Sequence, residues 1–234
     1  TGLVPKLQEL GARAFMNPDE TRKRVDLLHS YLADERARIE NLRIVGVTKA
    51  ETPQVYDTFM EYTTKAYASE KSPLELSFIP IHPGDILSYG GYHFEVKLLK
   101  GHTFGQCGLY EPEKKLMFVG DQLMNTIVPI VGTQETDLGM LKCYLDSLGD
   151  LKHNYRDCYF LPCHYGEIRN VEKEVNRIIL GYLEKCEIMK HVLEEAGTAL
   201  TTRDIGVRTY GRSQGPPDYA HFASCTYIWA KTFS

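Results

Sequence analysis

The sequence has no apolar run approaching the ~18 residues that a membrane-spanning helix requires, so no segment reads as a transmembrane helix. It has no strong excess of either charge. Its 27 Lys and Arg stand against 31 Asp and Glu, a formal net charge of −4, and a weakly acidic chain gives no general support for nucleic-acid binding. It has no Cys-x-x-Cys pair, and Cys107, Cys143, Cys158, Cys163, Cys186 and Cys225 form no compact framework. In a chain this long such cysteines read as reduced thiols of a cytoplasmic protein. Internal repeats and low-complexity segments are lacking as well. The chain opens on Thr1 rather than Met, which leaves room for a cleaved targeting segment.

What is present is ordinary globular material. The 234 residues, 43% hydrophobic and 25% charged, allow one large domain or one domain with a small appendage. Leu3, Val4, Leu7 and Leu10 have helical spacing and stop at Gly11; residues 12–16 read as a strand. Asn17-Pro18-Asp19-Glu20 reads as a helix start, with Asn17 as cap, for a helix carrying Val25, Leu28, Leu32, Ile39 and Leu42. Residues 43–47 are a strand candidate, and a second helix follows over 52–68 with Val55, Phe59, Tyr62 and Ala66 on one face. From residue 76 the pattern turns to strands: 76–81, then alternating 93–98, then a hairpin of 108–110 with 116–119. An amphipathic helix over 137–151, a buried strand over 158–161 and a long helix over 170–196 ended by Gly197 follow. The tail carries Thr201-Thr202-Arg203-Asp204, a Gly- and Pro-rich turn, and a last helix from about 218. Strands in the middle with helices on both sides predict an α/β (α+β) layered domain.

Three residues stand out. His102 lies in Gly101-His102-Thr103-Phe104-Gly105, Asp121 in Gly120-Asp121, and His164 in Leu161-Pro162-Cys163-His164-Tyr165-Gly166. Taken alone, His102 reads as a turn histidine rather than a ligand, and Asp121 as a turn or cap residue. Together, two imidazoles and a carboxylate on loops at strand ends are the donor types that hold a divalent metal and activate water. The gaps of 19 (121 − 102) and 43 (164 − 121) residues each accommodate a hairpin or a helix, so the three loops can converge on one sheet edge.

These three motifs, in this order, resemble the last three metal motifs of the metallo-β-lactamase-fold hydrolases. Tyr144-Leu145-Asp146-Ser147-Leu148 is similar to the helix before the final histidine loop in the glyoxalase II-like and β-lactamase-like protein 2-like branches. The resemblance covers about 76–195 well. It implies an αββα sandwich, N-terminally incomplete, with a C-terminal helical appendage. The implied division is 1–196 for the domain, with 17–75 as a helical insertion whose aromatics, Tyr56, Phe59, Tyr62 and Tyr67, read either as a lid over the site or as ordinary helix packing, and 197–234 for the appendage. It further implies two zinc ions, with iron or manganese as alternatives: His102 on one, His164 on the other, and Asp121 bridging them and orienting the water. The reaction implied is attack of metal-activated water on an ester, thioester or lactone-type small molecule. The alternatives are a nuclease or nucleic-acid-binding member of the same fold and a non-catalytic, truncated module.

The sequence departs from the family in lacking His-x-His-x-Asp-His, which completes the site. The chain therefore reads as starting just downstream of those ligands, with three of seven metal-binding side chains, doubtful activity as it stands, and an uncovered sheet edge that invites a homodimer. Cys163 stands where the family usually has Gly and reads as a packed residue or a soft metal contact. Tyr165, Tyr62, Phe59 and His221 are the substrate-contact candidates; no membrane or nucleic-acid partner is expected. His29, His82, His93, His153 and His191 read as surface or structural histidines.

Overall fold

The computed structural model describes residues 3–20, 35–61 apart from 55 and 59, 77–129, 131 and 139–210. In chain order these form α1 (Val4–Glu9), β1 (Phe15–Met16), α2 (Glu35–Ile44), β2 (Ile79–Pro80), β3 (Ile86–Tyr89), β4 (Tyr92–Leu98), β5 (Cys107–Glu111), β6 (Leu116–Gly120), α3 (Met140–Asn154), β7 (Tyr159–Pro162), α4 (Val171–Ala196) and α5 (Thr202–Tyr210). Phe59, Tyr62, His221, most of the helix expected over 17–42 and the helix expected from 218 lie outside the described residues.

The central element is a five-stranded sheet in the order β3-β4-β5-β6-β7. Gly90 and Gly91, at φ 58° and 82°, form the two-residue loop between Tyr89 and Tyr92, which pair; both positions of such a type I′ loop need positive φ. β4–β5 and β5–β6 are antiparallel, and β6–β7 is parallel. That parallel pair needs a crossover, and α3 supplies it. Tyr144, Leu148 and Leu151 of α3 are fully buried, as are Met117 and Val119 of β6 and Phe160 of β7. A separate two-stranded parallel sheet pairs Phe15 with Ile79 and Met16 with Pro80.

Contacts divide the chain into two units, one of residues 1–25, 71–132 and 139–179, the other of 26–70, 133–138 and 180–234. The expected insertion thus groups largely with the tail rather than with the sheet. In the second unit Leu42, Val45 and Val47 form a small core on which Tyr56 and Met60 pack, so Tyr56 of the aromatic helix is a packing residue.

Two local expectations are corrected. Residues 43–47 are no strand: α2 runs to Ile44, and Gly46 at φ 83° turns the chain. Val47 N–H donates to Leu42 C=O at 2.8 Å and Gly46 N–H to Arg43 C=O at 3.0 Å, the paired bonds of a Schellman cap. Ile39, expected on the core face of its helix, is exposed.

Candidate metal centre

Strand direction brings the three motifs together. β4 and β6 are each antiparallel to β5, so they run the same way, and β7 runs with β6. The carboxyl ends of β4, β6 and β7 therefore share one edge of the sheet, where ligand sites of α/β folds gather. His102 follows β4, Asp121 directly follows β6, and His164 follows β7. Cys163 N–H donates to Gly120 C=O at 3.1 Å and fastens the last two loops together.

The loop bearing His102 is closely built. Leu99 N–H donates to Gln106 C=O at 2.8 Å and Gly101 N–H to Thr103 C=O at 3.1 Å. Gly101 is buried at φ 148°, and a Cβ there would lie 2.6 Å from Tyr144 Cα. A Cβ on Gly105 would lie 2.5 Å from the Glu20 backbone nitrogen, while Gly105 N–H donates to Glu20 Oε2 at 3.0 Å. Pro18–Glu20 are helical and Asp19 N–H donates to Asn17 Oδ1 at 2.9 Å, so the expected cap sets the segment that seats Gly105. Gln122, fully buried, accepts from His102 N–H through Oε1 and donates from Nε2 to Lys100 C=O, each at 3.3 Å.

His102 Nε2 lies 3.6 Å from Asp121 Oδ2, and His164 Nε2 lies 3.6 Å from Asp121 Oδ1. The carboxylate thus stands between the imidazoles with one oxygen toward each. These separations exceed hydrogen-bond length and approach the ~3.4 Å between two ligands of one tetrahedral metal with ~2.1 Å bonds. Asp121 Oδ1 is buried and accepts no hydrogen bond among the described residues, a costly state for a carboxylate oxygen. The donor chemistry fits a divalent cation. Donor number falls short: among the described residues no group of three or more His, Cys, Asp or Glu is placed to hold a metal ion. The two facts agree, because each side of Asp121 offers one imidazole and one carboxylate oxygen.

His164 is well exposed, and Tyr165 beside it is 54% exposed at φ 66°, a backbone region that non-glycine residues rarely occupy. Cys163 is also exposed, which removes the packed reading; partial desolvation and then the Asp121 carboxylate push its thiol pKa up. The other described histidines stay structural: His93 Nδ1 meets Ser88 Oγ at 2.8 Å, His191 pairs with Glu195, His82 lies beside Asp85, and His153 is in the last turn of α3. Gln122 and Gln106 escaped the sequence reading, since no motif marks them, and Glu20, read as part of the helix start, also holds the Gly105 N–H.

No protein-family model matches the sequence. Over 40 residues the chain is 50% identical to a hydroxyacylglutathione hydrolase from Haemophilus influenzae, a match covering 17% of this chain and 19% of that protein. Among solved structures, a metallo-β-lactamase family protein from Thermus thermophilus is similar at TM-score 0.72 and 20% identity, over 99% of this chain and 69% of its own. A β-lactamase domain protein from Burkholderia ambifaria is similar at TM-score 0.76 and 19% identity, over 97% of this chain and 64% of its own. The chain thus spans about two thirds of the length of these solved neighbours and matches under a fifth of the curated relative. With helices and a mixed sheet laid out as in these proteins, the chain has the metallo-β-lactamase fold.

Proposed function

We propose that the chain carries the centre of a metal-dependent hydrolase acting on a small ester, thioester or lactone. The observation that carries this reading is Asp121 standing between His102 and His164 with a buried oxygen that accepts no hydrogen bond among the described residues. His102 and His164 would each hold a cation through imidazole nitrogen, and Asp121 would bridge them. Zinc suits these donors, with iron or manganese as alternatives. When bound, such a cation lowers the pKa of a coordinated water and polarises a scissile carbonyl. Asp121 orients the attacking water. Tyr165, at positive φ beside His164 and open to solvent, would donate its phenol hydrogen to a substrate oxygen. Phe59, Tyr62 and His221 remain substrate-wall proposals on sequence alone.

The partial likeness to a hydroxyacylglutathione hydrolase supports thioesters as the first class to test. A hydrolytic zinc takes about three protein donors and a water, so a chain limited to His102, Asp121 and His164 holds metal weakly and turns over slowly. That shortfall favours a second reading, a non-catalytic module of the same fold. The test is hydrolysis of an acylglutathione, a phenyl ester and a lactone by the purified chain, before and after chelation and with zinc restored. Metal-dependent hydrolysis that Asp121→Asn removes supports the proposal. Metal-independent hydrolysis contradicts it, and metal uptake without turnover on any substrate supports the non-catalytic module.

A further inference from the structure

Gln122 is a fully buried side chain that the donor set leaves unused. Burying an amide is costly unless both its ends are bonded, and here both ends go to one short stretch of backbone. Oε1 accepts from His102 N–H and Nε2 donates to Lys100 C=O, each at 3.3 Å. These two groups flank Gly101, whose own N–H is turned to Thr103 C=O. Gln122 follows Asp121 directly in the chain, and its backbone N–H donates to Val119 C=O at 3.1 Å. One residue thus grips the His102 loop while being covalently joined to the carboxylate. Gln106 makes the reciprocal tie from the far end of the loop, donating from Nε2 to Val119 C=O at 2.9 Å.

We infer that Gln122 is a positioning residue that sets the distance between the His102 imidazole and the Asp121 carboxylate by fastening the His102 backbone to the Asp121 loop. The inference rests on the reading of those two side chains as metal donors. A buried glutamine that merely satisfied a turn would affect stability alone. A positioning residue also controls metal affinity, since groups that orient ligands are typically worth roughly tenfold to a hundredfold in binding.

The test uses the full chain labelled with 15N-histidine, whose His102 amide is identified by its loss in His102→Gln, together with cobalt(II) titration followed by visible absorption. Gln122→Met preserves volume and removes both bonds. It is expected to speed His102 amide exchange roughly tenfold, to leave the His93 amide of β4 unchanged, and to weaken cobalt binding roughly tenfold or more. Gln122→Glu keeps the oxygen that His102 N–H needs but loses the donor to Lys100 C=O, so it is expected to recover only part of the His102 protection. Where Gln122→Met does not fold, Gln122→Asn, too short to reach both groups, replaces it. Unchanged His102 exchange, or cobalt affinity equal to that of the parent chain, overturns the inference. A parent chain that takes up no cobalt overturns the donor reading beneath it, and the exchange measurement distinguishes that failure from a failure of the tie.

Discussion

On the proposed reading the chemistry turns on Asp121, whose carboxylate stands between two imidazoles with a buried oxygen that accepts no hydrogen bond among the described residues. Removing that charge costs the fold little and the site much. Asp121→Asn is expected to weaken zinc or cobalt binding by at least about tenfold without lowering the melting temperature of the metal-free chain, as checked by metal titration and by thermal unfolding after chelation. At this scale the sequence was informative where chemistry repeats in a recognisable order. His102, Asp121 and His164 were legible from flanking glycines and apolar runs, and the structure brings them together. Gln122 was not legible: it follows Gly-Asp with no pattern of its own, and only its burial against Lys100 and His102 shows a role.

At the scale of elements, the βαβ crossover of β6, α3 and β7 holds two of the three motif loops at one sheet edge. Leu148→Ala in α3 removes a fully buried side chain and should cost about 2–5 kcal/mol of unfolding free energy, read by urea denaturation. Gly101→Ala, which drives a Cβ into the α3 backbone at Tyr144, should cost about 1–3 kcal/mol and weaken metal binding in the same titration. The start of α5 is a capping box: Asp204 N–H donates to Thr201 Oγ1 at 3.1 Å and Thr201 N–H to Asp204 Oδ2 at 3.2 Å. The Thr201 hydroxyl, helped by its backbone N–H and opposed by partial burial, holds the Asp204 carboxyl below its ordinary value. Its contribution is therefore complete above the unfolded-state pKa and lost as pH falls through the lower folded one. The deficit of Asp204→Asn, about 1 kcal/mol at pH 7, should shrink below about pH 4 in urea titrations.

Element types were legible where periodicity was long: 3–10, 93–98, 108–119 and 170–196 all form as their patterns predict. Residues 43–47 misled because Ile44, Val45 and Val47 are β-branched and short runs of that kind do not distinguish a strand from the end of a helix; Gly46 decided for the cap. Ile39 is exposed while Leu42 of the same helix is buried, a difference that apolar spacing alone does not show.

For the molecule as a whole, the sheet-centred unit carries His102, Asp121 and His164, and the unit of 26–70, 133–138 and 180–234 has a core of its own. The fold class was legible in the alternation of strands and helices, whereas the grouping of 26–70 with the tail was not, because sequence proximity says nothing about contacts across more than a hundred residues. No described helix is long and apolar enough to cross a membrane. With a net charge of −4, the chain is expected to show no salt-dependent shift with RNA or DNA at low ionic strength; such a shift in a gel would favour the nucleic-acid alternative.

If His102, Asp121 and His164 are metal donors, binding that favours the folded state must raise its stability by mass action. The most direct measurement is a zinc titration of the 234-residue chain, with bound metal counted after dialysis and the melting temperature followed alongside, set against Asp121→Asn. Saturable uptake with a rising melting temperature is expected in the parent chain, and uptake at least about tenfold weaker, with a smaller rise, in the variant. Equal uptake by both chains, or none by the parent, would contradict the donor assignment.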